Sequence, residues 1–162
     1  MMDNLASSEE QNKSSEPARS FVTLDLPCKY RFLRMVRQAV TDLCARAGMS
    51  ELKAASLEMA VDEACSNVME HSYGGETDTR KEPQHPGLRI NLIQQDGKVL
   101  VEIFDRGRGF DFNDHIIMEP EQYMRDGHER GLGMYIIRKF VDDVAYERNT
   151  PYGHCLRMTK RL

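Results

Sequence analysis

Two alternating runs, Leu88-Arg-Ile-Asn-Leu-Ile93 and Lys98-Val-Leu-Val-Glu-Ile-Phe104, flank the dipeptide Asp96-Gly97. Apolar residues at every second position bury one face of an extended chain. Asp-Gly supplies the two positive-φ residues that a tight hairpin turn needs. This hairpin commits the chain to antiparallel pairing. Residues 21–26 alternate in the same way and stop at Pro27, and residues 143–148 and 154–161 form two more strands around Asn149-Thr-Pro-Tyr-Gly153. Helical spacing marks three segments: 29–47, with the stripe Phe32, Val36, Ala39, Leu43 and Ala47; a helix capped by Ser50 and ending near His71; and 132–141. Gly48 is a good C-terminal stop for the first. The order is β-α-α-β-β-loop-α-β-β. Strands outnumber crossover units, so a doubly wound parallel sheet does not fit. The expected fold is an α/β (α+β) two-layer sandwich: a mixed, largely antiparallel sheet with three helices on one face, the other face solvated or used for association.

A chain of 162 residues holds one domain with a real core. Residues 1–19 are polar and nearly free of apolar side chains, which predicts a disordered tail ahead of a domain over 20–162. The net charge of −4 argues against direct nucleic-acid binding, which wants a basic stripe. Cys28, Cys44, Cys65 and Cys155 show no CxxC spacing and read as buried free thiols of a reducing compartment. No apolar run reaches the length of a membrane span, and the N-terminus lacks a basic start followed by an apolar core. The expected location is the cytoplasm, with no membrane contact. Residues 74–87 form a polar loop with Gly and Pro at both ends, and 105–130 form a long polar segment broken at Pro120. A segment of that length inside a compact domain is usually functional.

Three short motifs carry chemistry. Glu63 and Asn67 lie one helical turn apart, about 40° from each other around the axis. They flank the stripe Leu57, Val61, Ala64 and Val68 and so belong neither to the core nor to the fully solvated face. A carboxylate and an amide oxygen so placed suit general-base work beside a hard metal ion. Asp105-Arg-Gly-Arg-Gly109 ends an apolar strand; its glycines permit a sharp turn and close approach to a ligand, and its Asp can accept a hydrogen bond from an exocyclic amine. Gly131-Leu-Gly133 opens a helix directly after Arg130, where backbone N–H groups form a ready phosphate site. No GxxxxGK[ST] loop occurs, and the contexts differ from those of a dinucleotide fingerprint.

Taken in order, these motifs resemble the boxes of the GHKL, or Bergerat-fold, ATPases: an N box at Glu63-Ala-Cys-Ser-Asn67, a G1 box at Asp105-Arg-Gly-Arg-Gly109 and a G2 box at Gly131-Leu-Gly133. The resemblance spans about residues 21–162. Within that superfamily the run Val61-Asp-Glu63-Ala-Cys-Ser-Asn67-Val-Met-Glu-His71-Ser-Tyr73 is similar to the VxEAxxNxxxHxY of bacterial anti-sigma-factor serine kinases. About fifty residues precede the N box, and none reads as the phospho-acceptor helix of a histidine kinase.

The resemblance implies a Bergerat ATP-binding fold and an ATP- and Mg²⁺-dependent protein serine/threonine kinase. Its partners would be a sigma factor, which it sequesters, and an anti-sigma-factor antagonist, which it phosphorylates, with a homodimer as the working form. Glu63 would be the catalytic base, its pKa raised by neighbouring Asp62, and Asn67 the Mg²⁺ ligand. Asp105 would take the adenine amine, with Gly107 and Gly109 letting the nucleotide lie close. Gly131, Leu132 and Gly133 would present backbone to the phosphates, and Arg130, with His128 and Arg125, would meet phosphate charge. Arg34 on the first helix would touch protein partners. The family often has a Thr soon after the last turn glycine, where this chain has Gly153-His154-Cys155. The alternative is a nucleotide-gated binding module of the same fold that transfers nothing.

Overall fold

The computed structural model describes residues 20–76, 87–109 and 132–162. The elements are β1 (Ser20–Leu26), a 3₁₀ turn (Tyr30–Phe32), α1 (Leu33–Arg46), α2 (Glu51–Asn67), a π-helical turn (Val68–Ser72), β2 (Leu88–Gln95), β3 (Lys98–Asp105), α3 (Leu132–Phe140), β4 (Asp143–Thr150) and β5 (Gly153–Arg161). Five strands form one sheet in the order β1-β2-β3-β5-β4. Every neighbouring pair among them is antiparallel. The Asp96-Gly97 turn takes positive φ at both residues, 50° and 69°, as the hairpin between β2 and β3 requires.

Register decides which side chains meet. Ile90 faces Ile103 and Leu92 faces Val101, while Ile103 faces Leu156 and Val101 faces Met158. These six residues, at most 1% exposed, pack with Val36, Val40 and Leu43 of α1, Leu57, Val61 and Ala64 of α2, and Ile137 of α3 in one core. The three described helices thus cover one face of the sheet. The other face carries a polar row. Thr23 Oγ1 donates to Asn91 Oδ1, Asn91 Nδ2 to Glu102 Oε2, and Arg157 Nε to Glu102 Oε1. Burying one face and solvating the other is what strict alternation in β3 encodes.

Two features depart from the sequence expectation. A 3₁₀ turn follows Pro27, so α1 starts at Leu33 rather than near Lys29. The tighter turn shifts the helical phase: Leu33, Val40 and Cys44 join Val36 and Leu43 inside, while Phe32, Ala39 and Ala47 pack at the core's edge. The second helix does continue to Ser72, but its last five residues widen into a π-turn. Ser50 caps α2 as expected, accepting from the Lys53 N–H, and Gly48 closes α1 at φ 76°. All four cysteines are buried thiols outside any disulfide.

Candidate functional site

Three polar or charged side chains among the described residues are buried: Asn67, Ser72 and Asp105. They come from two elements, the end of α2 with its π-turn and the end of β3, which meet at one end of the sheet. Alternation along β3 puts Asp105 on the same face as Val99, Val101 and Ile103, beneath the helices.

Ser72 joins the two elements. Its hydroxyl donates to Asp105 Oδ1 and accepts from the Gly109 N–H at 3.0 Å, and its carbonyl accepts from the Arg108 N–H at 3.0 Å. Arg108 Nε donates to the His71 carbonyl at 2.7 Å. Tyr73 adds a second clamp: its hydroxyl accepts from the Arg106 N–H at 3.0 Å and donates to the Gly87 carbonyl at 2.7 Å. The turn after β3 is therefore bolted to the end of α2. A Cβ on Gly107 would overlap Ser72 Oγ and stand 2.5 Å from the Ser72 carbonyl oxygen, so only glycine fits. Gly109 has φ 70° and lies against the His154 ring. Ser72 is the last residue of the π-turn, whose i→i+5 bonds widen the helix end and change the direction in which the chain leaves α2.

Asp105 accepts from Ser72 and, at 3.0 Å, from the Gly107 N–H. Burial pushes its pKa up, against the pull of those two donors and of His154. Both donors engage Oδ1, which leaves Oδ2 as an acceptor for an amine.

Glu63 is half-buried on α2. Its pKa is raised, first by burial, then by Glu70 and last by Asp62. Like-charge repulsion from Asp62 thus acts as the sequence suggested but is the smallest cause, and Asp62 is itself paired with Arg37 at 2.7 Å. A Cβ on Gly133 would overlap the Glu63 carboxylate oxygen. The first turn of α3 therefore lies directly on the carboxylate, and the glycine makes the room.

Asn67 is 9% exposed, and its Nδ2 is buried with no hydrogen-bond partner among the described residues. An orphaned buried amide is costly unless something else completes it. Turned about its terminal bond, the amide offers an oxygen to a cation or an N–H to a phosphate. Magnesium fits this donor. It takes oxygen ligands, keeps several waters and needs few protein groups beside substrate phosphates. Among the described residues no group of three or more His, Cys, Asp or Glu could hold a metal ion.

From the sequence-derived set, the structure seats Gly133 on Glu63 and gathers Asp105, Gly107 and Gly109 around Ser72; α2 and its π-turn carry both groups, with Asn67 between them along the chain. Leu132 opens α3, but only its backbone is described; Arg130 and Gly131 lie outside the described residues, as do His128, Arg125 and the tail 1–19. Arg34 is exposed on α1, and none of the bonds joining the end of α2 to the turn after β3 involves it. Ser72, Tyr73 and His154 complete the site, and the motif reading gave none of them a role in it. His154 faces Asp105 across β3–β5, its ring 6.2 Å from and nearly parallel to that of Tyr146. Its Nδ1 is buried without a partner among the described residues. Ser72 and Tyr73 stand between the helix end expected near His71 and the polar loop over 74–87, so the motif run contained them without giving them a role; their signal was a hydroxyl pair directly after the helix that carries Asn67.

Comparison with known proteins gives four findings. The family described as histidine kinase-like ATPase domain matches residues 26–160. The serine-protein kinase RsbW of Listeria monocytogenes serotype 4a (strain HCC23) is 31% identical over 130 residues, covering 76% of this chain and 76% of that one. RsbW of Bacillus subtilis (strain 168) is 25% identical over 146 residues, covering 88% and 86%. The crystal structure of the RsbU and RsbW domains of Rv1364c from Mycobacterium tuberculosis superposes with a TM-score of 0.60 at 17% identity. That likeness, which speaks to the fold, covers 88% of this chain and 32% of the longer one.

Proposed function

We propose, since the chain belongs to the histidine kinase-like ATPase domain family and within it to the branch of the RsbW serine-protein kinases, that it is an ATP-dependent anti-sigma-factor kinase. In this reading it sequesters a sigma factor and phosphorylates a serine or threonine of an anti-sigma-factor antagonist. It works in the cytoplasm as a homodimer, with Arg34 on α1 meeting protein partners. Among the described residues no helix is long and apolar enough to cross a membrane.

The observation that carries the proposal is Glu63. A pocket that only held nucleotide would need an amide, an acceptor for the base and backbone for the phosphates. It would gain nothing from a half-buried carboxylate whose pKa burial raises. Such a group suits a general base, because a raised pKa strengthens its pull on a hydroxyl proton. Glu63 would take the proton from the substrate hydroxyl as that oxygen attacks the γ-phosphorus of ATP, the bond from that phosphorus to the bridging oxygen breaks and ADP leaves. Asn67, one turn on, would hold magnesium, which supplies charge neutralisation across the phosphates when bound. Asp105 would accept from the adenine amine, and backbone at the start of α3 would meet phosphate oxygens. The packing of Gly133 on Glu63 would set the base beside the phosphates.

Incubating the protein with labelled ATP, magnesium and candidate antagonists tests the reading. Label on a serine or threonine of one antagonist is expected. Tight ATP binding without transfer would leave a nucleotide-gated module, and no ATP binding would end the nucleotide reading.

Gly133→Ala isolates the contact between α3 and the base. The added methyl meets the far end of a flexible side chain, so Glu63 can swing away. Alanine is favoured over glycine inside a helix by about 1 kcal/mol. Stability should hold or rise while transfer falls by about tenfold or more, the loss expected when a catalytic group shifts by about 1 Å. Thermal unfolding and transfer rates check this together; unchanged transfer would mean that the carboxylate does not work from this position.

A further inference from the structure

We propose that Ser72 sets base specificity: by committing its one hydroxyl proton to Asp105 Oδ1, it holds that side chain as an acceptor and reserves Oδ2 for an amine-bearing base. The proposal rests on the nucleotide-binding reading above.

The direction of that proton follows from the bonds. A serine hydroxyl has one hydrogen to give and two lone pairs. The Gly109 N–H already points at Ser72 Oγ at 3.0 Å, so the hydroxyl proton cannot lie there. It goes to Asp105 Oδ1, which also receives the Gly107 N–H at 3.0 Å. Two donors on Oδ1 exclude a proton from that oxygen. They also stabilise the ionised form of a side chain that is 2% exposed. The titratable or charged groups that act on or adjoin it are His154 on β5, Tyr73 after the π-turn, Cys155 on β5 and adjacent Arg106. None of these donates a hydrogen bond to Asp105 among the described residues, so Ser72 is its only side-chain donor there.

The consequence is chemical. An ionised Asp105 accepts at Oδ2 and matches the 6-amino group of adenine. A protonated Asp105 would donate from Oδ2 and match the 6-oxo group of hypoxanthine or guanine. Ser72 is therefore a positioning residue that selects between two base classes without touching the base. A site built around a buried hydrogen-bonding group discriminates steeply, because the wrong ligand leaves that group unpaired.

Calorimetric titration of ATP and of inosine triphosphate, with magnesium, into the wild type and Ser72→Ala tests this. The two nucleotides share their sugar and phosphates and differ at the 6-position. The wild type should favour ATP. Ser72→Ala should lose about tenfold in ATP affinity, the worth of one hydrogen bond to a charged group, while affinity for inosine triphosphate holds or rises. Ser72→Cys fills the same space with a weaker donor and should show the same change in smaller measure; it serves in place of Ala should that variant fail to fold. Equal losses for both nucleotides would reduce Ser72 to a structural clamp and overturn the proposal, as would an unchanged preference. A wild type that takes up neither nucleotide would instead refute the nucleotide reading itself.

Discussion

Replacing Glu63 by Gln is expected to stop phosphoryl transfer while leaving nucleotide uptake intact. Glutamine keeps the size and one acceptor oxygen, replaces the other with an amide donor, and cannot take a proton. Loss of a positioned general base costs about 10²- to 10⁴-fold. The same change should not lower thermal stability at neutral pH, and the sign can be worked out. Burial raises the pKa of Glu63, with Glu70 and Asp62 adding to it. The folded state therefore binds that proton more tightly than the unfolded chain does. Ionisation costs stability as pH rises from the ordinary carboxylate range through the raised value, and above it the cost is complete. Glutamine removes that cost. The variant should melt at or above the wild-type temperature at neutral pH, and the gap should close in acid, where Glu63 is protonated in both states. Melting curves across pH, with transfer assays on the same samples, check both halves. Full transfer activity in the variant would remove Glu63 from the mechanism.

Gly107→Ala should damage both the fold and the candidate site. Its Cβ would overlap Ser72 Oγ and stand 2.5 Å and 2.8 Å from the Ser72 carbonyl oxygen and carbon. Those backbone atoms cannot swing aside as the Glu63 carboxylate can, because the Ser72 carbonyl already accepts from the Arg108 N–H. Relief requires the turn to leave the end of α2. That would break the bonds from Ser72 to Asp105 and from Gly109 to Ser72. Overpacking plus buried groups left unpaired amounts to about 3 kcal/mol. Denaturant unfolding should show that loss, and calorimetry should show ATP binding weakened beyond detection. A variant as stable as the wild type with unchanged ATP affinity would mean that the turn and the helix end do not depend on each other.

The fold was legible because its signals are local. The Asp96-Gly97 hairpin, the Ser50 cap and the Gly48 stop each act within a few residues. Alternation in β3 told which side chains face the helices, Asp105 included. The phase of α1 was misjudged because a 3₁₀ turn and an α-helix differ in residues per turn, and nothing local to Tyr30–Phe32 marks the change.

For the candidate site, the sequence by itself determined the inventory: a carboxylate one turn from an amide, an aspartate at a strand end, and glycines where the backbone must turn or approach. Spacing along one helix or one strand is enough for that. Only the tertiary structure decided how the pieces meet. Ser72 reaches Asp105, which lies 33 positions further along the chain, and Gly133 lies on Glu63 from 70 positions further along. Which oxygen of Asp105 is taken, which amide is left unpaired, and which glycine has no room for a methyl depend on contacts between segments that the chain's order does not encode. Those contacts arise because the π-turn ending α2, the order of strands in the sheet and the docking of α3 bring distant backbone into van der Waals contact.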